Sequence, residues 1–142
     1  MTEKSTLRER AIHATTYWVD LPDRSIEFQL EKHNPELDAI LKSEGERQRA
    51  FLTAYNPHAQ PHDAVENQQH LKKLVDDVTA LGFKYLPGRD VNDDRSLPPE
   101  SCLWVIGIAP DHARQLGKCY GQAAVIVGEL DKPAHLLYAE EK

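Results

Sequence analysis

A chain of 142 residues, 40% hydrophobic and 28% charged, has the size and make-up of one globular domain able to bury a core without a metal or disulfide. With 17 Lys plus Arg against 23 Asp plus Glu, its net charge of −6 argues against a general nucleic-acid binder, which needs a basic face to displace phosphate counterions. The same balance argues against electrostatic docking on an anionic membrane.

The opening, MTEKSTLRER, is polar and lacks the apolar centre of a secretory signal. No apolar run nears the ~20 residues of a membrane helix. A cytoplasmic protein is expected, with no nucleic-acid or membrane partner. Cys102 and Cys119 stand apart, without a C-x-x-C spacing, and read as buried small hydrophobes in a reducing compartment.

Residues 5–14 are expected to form a short helix led by Ser5. Thr15 to Leu21 is rich in β-branched and aromatic side chains and reads as a strand. After a turn at Leu21 to Arg24, Ser25 to Leu30 alternates, with Ile26, Phe28 and Leu30 on one side, so the chain opens with a hairpin. Asn34-Pro35-Glu36 is a helix start, with Asn as cap and Pro in the first helical position. Leu37, Ile40 and Leu41 give that helix its apolar stripe, and Gly45 ends it. Glu46 to Arg49 is expected as a solvated charged connector, and Ala50 to Asn56 as a central strand.

The helix from Ala64 to Leu81 has the clearest signals. Asp63 and Glu66 have capping-box spacing, Leu71, Leu74, Val78 and Leu81 share a face, and Gly82 closes the helix. Phe83 to Leu86 reads as a short strand and Pro87 to Pro99 as a polar surface loop. Ser101 to Ile108 is a buried strand, Pro110 opens a helix carrying Ala113, Leu116 and Tyr120 on one face, and Ala123 to Gly128 is a strand. Asp131-Lys132-Pro133 turns into a final strand, His135 to Ala139. The fold class expected is therefore α+β, in one domain over 1–142. Residues 1–49 supply a hairpin and helix, 50–130 a ferredoxin-like split βαβ core (βαββαβ), and 131–142 a last strand and tail.

Polar residues mark one end of this core. Four residues before Leu71 and seven before Leu74, Asn67 falls on the apolar stripe of its helix, where an amide needs hydrogen-bond partners. Asn56 ends the preceding strand. Gln122 begins the last core strand, which in this topology runs antiparallel beside it. Asn56, Asn67 and Gln122 are expected to converge, with His58 and the free N–H groups of the helix start nearby. Such a set either ties down the loop Pro57 to His62 or forms a pocket for a neutral or anionic ligand. Amides position but do not move protons, so catalysis would recruit His58, His62 or Glu100. Glu100 is expected at the opposite sheet edge, bonded to backbone or to an Arg. The acidic excess falls in caps, connectors, the 87–99 loop and the tail, which leaves a near-neutral amide cluster as the candidate site.

Seven histidines raise the question of a metal. His58, His62, Glu66 and His70 recur every four residues, but the first two precede the helix and Glu66 belongs to the capping box, so no metal site is expected. Phosphate-binding loops, dinucleotide fingerprints and nucleophile elbows are absent, and no cofactor is expected.

Thr53 to Pro57 (TAYNP), Glu66-Asn67 opening a long helix, Glu100-Ser101 before an apolar strand, and Tyr120-Gly121-Gln122-Ala123 together resemble a bacterial family called domain of unknown function 3293. Order and spacing agree over roughly residues 15–129. The chain departs from the pattern after Gln122, where many relatives carry Asn and it has Ala123. The resemblance implies no activity; it does imply that the amide set is a family feature. Three expectations follow. One is a ligand- or partner-binding or regulatory module gripping a small polar molecule or a protein partner through Asn56, Asn67, Gln122, His58 and Glu100. The second is a small hydrolase or transferase using His58 with the amides as an oxyanion-type cradle. The third is a structural protein that homodimerises through its final strand.

Overall fold

Tyr17 and Val19 point the same way on strand β1 (Thr15–Asp20), as do Ile26 and Phe28 on β2 (Ser25–Phe28), because side chains alternate along extended backbone. Tyr17 lies opposite Phe28 and Val19 opposite Ile26, which builds the expected hairpin. The structure, a computed structural model, describes residues 15–93 and 98–139, and the helix expected over 5–14 lies outside them. Helix α1 (Pro35–Ser43) starts as its sequence dictates: the Asn34 side chain accepts the Leu37 N–H at 3.0 Å, and its amide donates to the Glu27 carbonyl at 2.9 Å, tying the helix to β2. Strand β3 (Gln48–Thr53) leads through a single 3-10 turn (Pro57–Ala59) into helix α2 (Ala64–Ala80). There the capping box forms, with the Glu66 N–H held by Asp63 at 2.8 Å. Strands β4 (Lys84–Asn92) and β5 (Glu100–Ile106), helix α3 (Pro110–Cys119), and strands β6 (Ala124–Glu129) and β7 (His135–Tyr138) complete the order.

Among the described residues, seven strands form one sheet in the order β2-β1-β4-β5-β3-β6-β7, with every neighbouring pair antiparallel. The protein is thus α+β. On one face, α1 sets Leu37 and Leu41 among Phe51, Trp104, Ile106 and Ile126, beside a Tyr17–Phe28–Phe51 ring cluster. On the other, Leu74 and Val78 of α2 and Ala113 and Leu116 of α3 cover Leu52, Leu103, Val105 and Val127. Strands covered on both faces need apolar residues at every position, which is why AFLTA and SCLWVI read as unbroken runs. Trp104 and Leu52, 1% and 2% exposed, each contribute on the order of 2 kcal/mol by burial. No helix among the described residues is long and apolar enough to cross a membrane.

Four local expectations are corrected. The loop expected from Pro87 is strand as far as Asn92, since β4 pairs with β5 along one side and with β1 along the other. Pro87 is tolerated because β1 pairs only from Gly88 onward, so at Pro87 that side of the strand is open. The connector expected at Glu46 to Arg49 is partly strand, and Arg49 is buried, donating to the Glu129 and Lys132 carbonyls at 2.9 and 3.4 Å. Leu81, expected on the buried stripe, is the exposed C-cap of α2. Cys102 is buried as expected, but Cys119 is exposed; both are free thiols.

Candidate functional site

Thr53, the last residue of β3, pairs with Cys102 near the start of β5. In an antiparallel pair the exit of one strand lies beside the entry of the other. Glu100 therefore stands with the amides and not at the opposite edge, a correction that follows from the pairing alone. Asn56, with φ 49°, adopts the left-handed conformation that Asn tolerates better than most residues. Its Nδ2 donates to Glu100 Oε2 at 3.0 Å.

Behind Asn56 lies Asn67, on the buried face of α2 where its spacing sets it and 6% exposed. Asn67 Oδ1 accepts the Asn56 backbone N–H at 2.9 Å, and its Nδ2 donates to Asn56 Oδ1 at 3.0 Å and to the His62 carbonyl at 3.3 Å. The His62 N–H also donates to Asn56 Oδ1, at 3.0 Å. The two amides are thus mutually satisfied and fix the 56–62 loop on the first turn of α2. Gln122 lies next door and not within the set: its amide donates to the carbonyls of Tyr55 at 2.9 Å and Tyr120 at 3.2 Å.

His58 is exposed. Its backbone N–H donates to the Gly121 carbonyl at 2.8 Å, and its ring has no hydrogen bond to the amides among the described residues. Gly121 is required here, since its φ is 68° and a Cβ would sit 2.9 Å from His58 N. His62 pairs with Glu66 at 3.4 Å and packs edge-on against His70. The four-residue histidine spacing gathers no metal-ligand group among the described residues.

The sequence reading missed Asp90. It lies directly opposite Glu100 in the β4–β5 register and opposite Tyr17 in the β1–β4 register. The Glu100 N–H donates to Asp90 Oδ1 at 3.3 Å, and the buried Cys102 thiol lies 3.9 Å from Oδ2. Burial first, and then the facing Glu100 charge, push the Asp90 carboxyl up to about 7. Burial raises Glu100 too, against the hydrogen bond from Asn56, which favours its ionised form. Burial, reinforced by both carboxylates, holds the Cys102 thiol protonated. No Lys or Arg side chain forms an ion pair with either carboxylate among the described residues. The site is therefore an amide-to-carboxyl chain, Asn67–Asn56–Glu100–Asp90, and not the near-neutral amide cluster expected. The one signal for Asp90 was parity: Leu86, Gly88 and Asp90 share a face only if the strand continues past Pro87.

Residues 52–125 match the family described as protein of unknown function (DUF3293), and the chain belongs to that family. The matched segment holds the whole amide-to-carboxyl chain together with Gln122. No curated protein and no solved structure matches the chain.

Proposed function

We propose that this is a single-domain binding module that captures a small molecule rich in hydrogen-bond donors, such as an amine, amidine or primary amide, at the Asp90–Glu100 end of the sheet. The observation that carries the reading is the pair itself. Two carboxyls face each other across neighbouring strands, half-buried, where like charges oppose folding. A donor-rich or cationic ligand relieves that repulsion, whereas an anion adds to it. Asn56 and Glu100 supply contacts, Asn67 holds Asn56 in place, and Gln122 braces the Tyr55 carbonyl. For the framework, the strand order β4-β5-β3-β6, with α2 and α3 sharing a face, supports a ferredoxin-like core.

An NMR titration with ethanolamine, agmatine and acetamide tests the reading. Saturable shifts are expected at residues 56, 90 and 100–102 for at least one probe, with Glu100→Gln weakening binding about tenfold, equivalent to ~1.4 kcal/mol. Asn67→Ala is expected to weaken binding while destabilising the fold by about 1–3 kcal/mol, because it strands the Asn56 N–H. Absence of shifts with all three probes, or equal binding by Glu100→Gln, overturns the proposal.

A second reading, acid–base chemistry on such a ligand, is favoured by one observation: Asp90, with its carboxyl pushed to about 7, exchanges a proton near neutrality. In that case the general acid–base is Asp90 and not the exposed His58. Asp90→Asn then loses far more turnover than its weakened ligand affinity accounts for.

A further inference from the structure

A second cluster lies at the opposite end of β3, where Gln48 pairs with Glu129 and the β6–β7 turn begins. Asp38, in the first turns of α1, is 3% exposed. Its Oδ2 meets His33 Nε2 at 2.6 Å and accepts the Asp131 N–H at 3.0 Å. One ligand atom from each of His33, Asp38 and Asp131 lies within 4.8 Å of the others. His33 and Asp131 are exposed, so the cluster opens to solvent on one side.

The other oxygen, Asp38 Oδ1, is buried and has no hydrogen-bond partner. Among the described residues its one close cation is Arg49, whose Nη1 forms an ion pair with it at 3.8 Å, too long for a hydrogen bond, while the guanidinium donates to the Glu129 and Lys132 carbonyls. A buried carboxylate oxygen without a bond is uncommon, and a bound ion is one of its recognised causes.

We propose that His33, Asp38 and Asp131 bind a divalent transition-metal cation that clips helix α1 to the β6–β7 turn. An imidazole nitrogen beside two carboxylates selects zinc-like ions over calcium or magnesium, which prefer all-oxygen shells. Three protein ligands with an open side leave a position for water. The ion joins residues far apart in sequence, so it stabilises the fold by closing a long loop. The inference is independent of the Asp90–Glu100 reading.

The test uses the full chain, stripped with EDTA, with zinc chloride as the probe. Calorimetry is expected to show one equivalent bound, and excess zinc to raise Tm by about 5 °C. His33→Ala and Asp131→Asn change exposed side chains and leave the core intact. Each is expected to weaken zinc binding at least tenfold and to remove the visible absorption of the cobalt-substituted protein, with circular dichroism unchanged. His62→Ala is expected to bind as the parent does. Absence of saturable binding overturns the proposal, as does one-to-one binding that survives both variants or that is lost in His62→Ala.

Discussion

Asp90 opposes the fold that holds it. Folded, its carboxyl keeps a proton up to about pH 7; in the unfolded chain it loses it near 3.8. Between those values the native state binds more protons than the unfolded state, so stability falls as pH rises through the window and levels off above it. Asp90→Asn lacks this penalty. Its melting temperature is expected to track the parent near pH 4 and to exceed it at pH 8, by on the order of 1–2 kcal/mol in stability. Urea melts at the two pH values check this; a difference that does not depend on pH contradicts it. A residue that is better removed for stability, at the sheet end where a ligand site is proposed, is what a function-driven position looks like. Asn67 was found because helical spacing needs only its own helix. Asp90 was not, because its place depends on two strands that pair with it from elsewhere in the chain.

Among the elements, caps were legible and one strand was not. Asn34, the Asp63–Glu66 box and Gly45 act within a few residues of their own backbone, so a local reading suffices. Strand β4 carries Pro87, Gly88, Asp90 and Asn92, which locally favour a turn, and pairing on both sides overrides them. Gly88 shows how tightly that strand is held. A Cβ there would lie 2.6 Å from both the Phe51 ring and the Trp18 carbonyl. Gly88→Ala is therefore expected to destabilise the protein by about 1–3 kcal/mol through displacement of Phe51, although its backbone conformation suits alanine. Chemical denaturation measures the loss, and a neutral result would mean that β1 and β4 separate more easily than their register implies.

At the level of the whole molecule, the sheet orders its strands far from their order in the chain. The opening hairpin does not lie beside β3, the next strand in sequence; it adds to the outer side of β4. The apolar runs predict strands buried on both faces, and the expected pairing of the last core strand with β3 is found, but where the opening hairpin joins the sheet is settled by packing that no local pattern records. Refolding is expected on the slower side, milliseconds to seconds, because non-local pairings must close large loops before they are rewarded. Stopped-flow tryptophan fluorescence reads this, with Trp18 and Trp104 on strands that come together only when β4 is in place.

That arrangement also bears on how the protein is made. During synthesis β1 and β2 emerge long before β4, and Thr15 must wait for Asn92 before its outer edge is covered. A nascent two-stranded ribbon is marginal alone and offers unpaired backbone to any neighbour. Until the ribosome has delivered β4, the hairpin's Trp18 and its open edge are what a chaperone, or another unfinished copy, would meet first.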